Sequence, residues 1–182
     1  MEVSLLSFFC LILCSSYPLF ISAASSNVDQ LCNLLGGWYV TPQLCHSVLD
    51  SHPRSSTTDL NGLGIIAAKV TAAKATSIAA DIQQLLSKAS SDINQQKVLK
   101  TCLKLYTDVV PMLKGAVTAI KVKNYSKAET VLYAAFKVAG KCDDAARADT
   151  SFWSSLNHYD TEFANVSWVA HAIAAYIGRY GT

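Results

Sequence analysis

Proline is scarce in this chain: four in 182 residues, and beyond residue 24 only Pro42, Pro53 and Pro111. Glycine, at eight, and methionine, at two, are also little used. A collagen-like chain needs far more of the first two, and a disordered one would not carry 51% hydrophobic residues. Charge is sparse as well, with Lys and Arg at 15 and Asp and Glu at 13. A balance of +2 is too weak to argue for nucleic acid, which calls for clustered basic side chains on one face.

Catalytic signatures are missing too. No G-x-S-x-G, H-E-x-x-H, P-loop or G-x-G-x-x-G is present. Gly62-Leu63-Gly64 lacks a third glycine and follows no strand, so it reads as a loose first turn of a helix. The four histidines, His46, His52, His158 and His171, are scattered without metal-ligand spacing and are expected to be solvated or structural. Asp143, Asp144 and Asp149 read as solvated charges near a helix end rather than a catalytic pair. Close cysteine pairs, which structural zinc sites usually require, are also absent. The expectation is a protein with no catalytic residues, no metal and no cofactor.

What the sequence does contain begins with an apolar run over residues 4–21, followed by Ser22-Ala23-Ala24. Small residues at that point suit signal peptidase, so residues 1–24 are expected to be a secretory leader. A membrane anchor is disfavoured because Ser15, Ser16 and Pro18 interrupt the run and no basic flank follows. No later stretch is expected to span a bilayer. Removing residues 1–24, with the single charge Glu2, leaves residues 25–182 with 15 basic and 12 acidic side chains. That length suits one domain with a real core.

Four long stretches show helical period. The first runs from Leu60 through Ala67, Ala75 and Ile82 to Ala89. The second joins Leu99, Cys102, Tyr106, Val109, Leu113 and Ile120. The third joins Ala128, Val131, Ala135, Val138 and Cys142. The fourth joins Val166, Val169, Ile173, Tyr176 and Tyr180. Thr58 or Asp59 is expected to cap the first, Ser126 with Glu129 the third, and Asn165 or Ser167 the fourth. Pro111 is expected to kink or break the second. Residues 148–162 are polar with scattered aromatics and read as a surface loop, with Phe152 and Trp153 pinned on the bundle. Ahead of all this, residues 28–51 read as a short helical hairpin, ended by Gly36-Gly37 and restarted at Thr41-Pro42. The fold class expected is therefore all-α: an up-and-down four-helix bundle over 58–180 behind an N-terminal hairpin.

Four cysteines remain after the leader, at 32, 45, 102 and 142. An even number in a secreted chain implies two disulfides. Cys32 and Cys45 stand about equally far from the hairpin turn. Cys102 lies 21 residues before Lys123 and Cys142 17 after Tyr125, a mismatch of about one helical turn at the tip of the second hairpin. The expected pairs are Cys32–Cys45 and Cys102–Cys142, worth about 3 and 4 kcal/mol by loop entropy. Asn124-Tyr125-Ser126 and Asn165-Val166-Ser167 are N-glycosylation acceptors.

Taken together, C-x12-C in a helical hairpin, Thr58-Asp59-Leu60-Asn61-Gly62-Leu63-Gly64 opening an Ala-rich helix, Leu99 to Tyr106 with its C-x-x-x-Y step, and Ala139-Gly140-Lys141-Cys142-Asp143-Asp144 resemble the plant invertase and pectin methylesterase inhibitor family. Residues 51–64 are similar to the plane-tree pollen allergens of that family. The resemblance implies a secreted inhibitor, in the cell wall or vacuole, that blocks a carbohydrate-active enzyme. Plant acid invertase is the expected target and pectin methylesterase the alternative; a bundle with no enzyme target is the reading from a different class. A monomer is expected, with no nucleic-acid partner and no membrane contact once the leader is cut. In invertase inhibitors a Pro-Lys-Phe triplet before Ala-Glu enters the substrate cleft. Tyr125, Ser126 and Lys127 occupy the matching positions before Ala128-Glu129 and are the expected target-binding residues, although none keeps the family's residue. Because such targets work in acid, His158 or interface carboxylates are expected to modulate affinity.

Overall fold

The structure, a computed structural model, describes residues 26–37, 40–89, 92–147 and 150–181, without the side chains of 150–155. Two short helices come first, α1 (Asn27–Leu35) and α2 (Pro42–Leu49), then a 3-10 turn at Ser55–Thr57. Four long helices follow: α3 (Leu60–Lys88), α4 (Ile93–Lys121), α5 (Tyr125–Ala146) and α6 (Thr150–Tyr180). Among the described residues there is no strand, only a single bridge between Gly36 and Val40 that closes the α1–α2 turn.

Local chemistry accounts for most boundaries. Ser26 caps α1 through a reciprocal box with Asp29, whose carboxyl is held below the usual range chiefly by the Ser26 hydroxyl and then by the Ser26 backbone N–H. Thr41 caps α2 with Pro42 at its first position. Asp59 caps α3 by accepting from Gly62 N–H at 2.7 Å. Asp92 caps α4 from outside the periodic stretch.

Four expectations are corrected. The cap of α5 is Asn124 rather than Ser126; its Oδ1 accepts from Lys127 N–H at 3.2 Å. Residues 150–162 are helical, not loop, so Asn165 and Ser167 lie inside α6 instead of capping it. Among the described side chains of α6, Leu156, Asp160, Phe163, Ser167, Val169, Ala170, Ile173, Ala174, Ala175 and Ile177 are buried. Polar residues at two of them hide the apolar period, while Ser, Thr and Asn around them imitate a loop. The expected pinning of Phe152 and Trp153 lies outside the described residues. α4 is not broken at Pro111; Pro111 and Thr107 are both exposed, so the carbonyl that proline leaves without a donor can turn to water. Finally, α3 is itself long and apolar enough to cross a membrane by length and composition, and 44% of its apolar window is buried inside the bundle.

The bundle packs antiparallel neighbours around Leu63, Ile78, Leu99, Tyr106, Leu113, Ile120, Leu132 and Phe163, all fully buried. Alanine on the inner faces and glycine at closest approach bring the helices together: a Cβ on Gly64 would stand 3.0 Å from Ile177 Cδ1. Thr71 Oγ1 donates to Ala67 O within α3 at 2.8 Å and lies 3.4 Å from Val166 O of α6. Cys32 is bonded to Cys45 and Cys102 to Cys142, with Cα separations of 5.4 and 5.0 Å, within the span that disulfides require. The first bond closes α1 on α2. The second fastens α4 to α5 near their far ends, and the α1–α2 hairpin docks beside the start of α3, where Asn27 Nδ2 donates to Thr58 O at 2.9 Å.

Candidate functional site

Two ends of the bundle carry the polar groups that packing does not explain. At the first, α4 turns into α5 through residues 122–124. Asn124 N–H donates to Ala119 O at 2.8 Å and Lys123 N–H to Ile120 O at 2.9 Å. The turn forces Lys123 to φ +58°, the left-handed region. Lys121, Val122, Lys123, Asn124, Ser126 and Lys127 are all exposed. Of the three expected target-binding residues, Ser126 and Lys127 face outward. Tyr125 is half-buried: its hydroxyl donates to Asn61 Oδ1 of α3 at 3.1 Å, and its Cβ sits where a side chain on Gly178 of α6 would stand, 3.1 Å away. Tyr125 therefore fixes the tip on the bundle rather than projecting from it.

The tip is the focus of a charge division. Ile93 to Ala146, the α4–α5 hairpin, holds nine Lys against four acidic residues, whereas the rest of residues 25–182 holds six basic and eight acidic. Between Asp108 and Glu129 there are four lysines, at 114, 121, 123 and 127, and no acid. Such a one-signed projection attracts acidic surfaces and steers their approach. The sequence reading singled out only Lys127; the run of 20 residues without an acid was the signal for the rest.

Away from the tip, Asp160 of α6 is 5% exposed and meets Tyr106, which stands one helical turn beyond Cys102 on α4. Tyr106 donates to its Oδ1 at 2.6 Å, while Oδ2 is buried with no partner. Burial is the main cause that pushes the Asp160 carboxyl up to about 7; the Tyr106 hydrogen bond opposes it and the charge of Asp143 adds to it. Burial, with the neighbouring carboxylate, drives the Tyr106 hydroxyl upward. Phe163 meets the Tyr106 ring edge-on at 5.1 Å. Sequence reading missed Asp160, because nothing distinguishes it from its solvated neighbours until the helix is known. His158 also lies at this end, its ring 3.8 Å from that of Tyr159. It is about 30 Å along α6 from Gly178 at the tip, which removes it from any docking there.

The other histidines have local roles. His46 bridges Asp50 at 3.1 Å and Asp29 at 3.5 Å, tying α2 to α1. His171 lies 3.3 Å from Glu129 O across α5 and α6. Among the described residues no cluster of His, Cys, Asp or Glu could hold a metal ion.

A small helical bundle, pinned by two disulfides and offering a projecting cationic hairpin, is a scaffold for binding another macromolecule. Residues 26–173 match the family described as "Plant invertase/pectin methylesterase inhibitor", and the chain belongs to that family. Its members are inhibitors, and the protein is not an enzyme. A Platanus acerifolia protein named "Putative invertase inhibitor" is 27% identical over 139 residues, 76% of this chain and 77% of its own. A kiwifruit (Actinidia deliciosa) protein named "Pectinesterase inhibitor" is 28% identical over 125 residues, 69% of this chain and 67% of its own. The crystal structure of a mutant form of a pectin methylesterase inhibitor from Arabidopsis superposes with a TM-score of 0.68 at 19% identity, covering 83% of this chain and 97% of the other. At that identity the likeness concerns the fold.

Proposed function

We propose that the protein is a secreted inhibitor of a plant acid invertase. It docks through the α4–α5 tip, with Ser126 and Lys127 outward and Tyr125 holding the turn in place. The observation that carries this reading is the set of exposed lysines at 121, 123 and 127, in a stretch without an acid between Asp108 and Glu129, with Lys127 among the positions that match the family's cleft-entering triplet. A glycoside hydrolase cleft holds two carboxyl groups, and a rigid cation presented to it gains charge-assisted contacts. The plane-tree relatives support invertase by name. The kiwifruit relative supports pectin methylesterase as the alternative at nearly the same identity. Residues 1–24 act as the leader and 25–182 as a single monomeric inhibitor domain, released to the cell wall or held in the vacuole. No cofactor takes part.

The test is a paired titration of oxidised residues 25–182 at about pH 5 against a plant acid invertase and a pectin methylesterase. Loss of sucrose cleavage alone is expected. Loss of esterase activity alone moves the protein to the alternative, and loss of neither overturns both.

A further inference from the structure

Aromatic rings crowd one seam of the surface, between α5 and α6. Phe136 and Trp168 have ring centroids 4.8 Å apart, Tyr133 lies 6.3 Å from Phe136, and His171 lies 5.0 Å from Trp168. Tyr133 is 41% exposed, with Lys137 Nζ 4.6 Å above its ring. Phe136 and Trp168 line an open groove of about 350 Å³, which among the described residues is also lined by Ala164 and Asn165. The groove is open to solvent, and the chain itself offers an occupant.

Asn165 supplies one. It is exposed, opens the acceptor triplet Asn165-Val166-Ser167, and forms part of the groove wall. Trp168 stands one helical turn later. Side chains on a helix lean toward its N-terminus, so the indole covers the turn that carries Asn165. We propose that Asn165 carries an N-linked glycan whose first sugar packs its apolar C–H face against Trp168 and Phe136, so that the groove is the bed of the chain's own glycan. Aromatic faces favour such contacts with polarised C–H groups and the burial of apolar area that accompanies them. In the transfer, the bond from sugar C1 to the diphosphate of a lipid-linked oligosaccharide breaks, a bond from C1 to Asn165 Nδ2 forms, and one amide proton leaves with the diphosphate. Ser167 is fully buried and donates to Phe163 O at 2.7 Å, so the acceptor triplet is available only before α6 packs. Asn124 offers no comparable bed. The neighbouring ring of Tyr125 is turned inward, and the exposed side chains around Asn124 include Lys121, Lys123 and Lys127.

The inference rests on the secretory reading of residues 1–24, and the experiment separates the two. The full chain is expressed in a plant secretory host behind its own leader and, in parallel, residues 25–182 behind a foreign leader. Glycopeptide mass spectrometry is expected to find Asn165 occupied in both. Enzymatic removal of the glycan, or Asn165→Gln, is expected to lower Tm by about 2–4 °C. In a Trp168→Ala background the same removal is expected to change Tm by less than half as much. A bare Asn165 behind the foreign leader overturns the proposal, as does a glycan whose removal leaves Tm unchanged. Failure of export only behind residues 1–24 overturns the leader instead.

Discussion

Away from the tip, α4 and α5 are joined covalently at Cys102 and Cys142, and one helical turn further along α4 a buried tyrosine meets a buried carboxyl and an edge-on phenylalanine. At the other end the same two helices are joined by the turn at 122–124, with its backbone bonds to Ala119 and Ile120 and the Asn124 cap, while Tyr125 ties the turn to α3. The closed end spends its polar groups on one another. The open end leaves its cations to solvent. A binding protein needs both: the first keeps the hairpin rigid, so that ordering it is not charged against association, and the second presents the groups that a partner meets.

The sharpest break in that comparison is at the disulfide. Cys102→Ser with Cys142→Ser removes the constraint on a 40-residue separation and is expected to lower stability by about 2–5 kcal/mol, a fall in Tm of roughly 4–20 °C in a differential scan. The Cys32–Cys45 bond spans 13 residues and lies outside the bundle proper. Its removal is expected to give a smaller shift and to loosen the α1–α2 hairpin first.

Second in size is the pH response of the closed end. The folded Asp160 carboxyl sits near 7 against 3.8 for the ordinary group, so the native state binds the extra proton between those values. Its contribution is therefore fully present below 3.8 and is lost progressively as pH rises to about 7, by as much as roughly 4 kcal/mol at ~1.4 kcal/mol per unit. Urea unfolding across pH 4–8 is expected to show this decline, and Asp160→Asn, neutral throughout, is expected to flatten it. A wild-type curve without the decline would place Asp160 in a more polar setting than the buried Oδ2 implies. For the proposed inhibitor of an acid invertase the sign is favourable, since Asp160 then stabilises the fold most at acid pH.

How much of this was legible in the sequence differs between the ends as well. Helix number, order and the disulfide pairs follow from apolar period and hairpin arithmetic, because most core positions of α3, α4 and α5 are Leu, Ile, Val or Ala. The start of α6 did not, because Asp160 and Ser167 occupy inward positions and a period count treats them as solvent-facing. The α5 cap was placed two residues late, because Ser126 and Glu129 fit a capping box that Asn124 pre-empts. At the tip, residue type identified Lys127, but only the fold shows that Tyr125 is turned onto Asn61. The aromatic seam was readable in outline, as Tyr133 and Phe136 on α5 and Trp168 and His171 on α6 each stand three apart; which helices meet was not.

At the open end the effects on stability shrink. Tyr125→Phe removes one half-buried hydrogen bond to Asn61 and is expected to cost about 0.5–1.5 kcal/mol. It also frees the tip to move, so inhibition is expected to weaken by more than the stability change alone would suggest. Comparing Tm with the inhibition constant for this single variant tests whether Tyr125 positions the tip.

The smallest expected stability effect belongs to Lys127→Glu. Lys127 is exposed, and only its backbone N–H, bonded to Asn124 Oδ1, takes part in the cap. Its side chain can change without disturbing that bond. A new carboxylate in the first turn of α5 even suits the helix dipole, so Tm is expected to stay within about 1 °C, since surface changes of this kind rarely exceed ~0.5 kcal/mol. Against an acidic cleft the same change replaces attraction by repulsion. Inhibition is expected to fall tenfold or more, chiefly through slower association and with a weaker dependence on salt, as rim charges act on encounter rates. Equal inhibition by the two forms would mean that the partner meets another face, and the division of labour between the two ends would then concern folding alone.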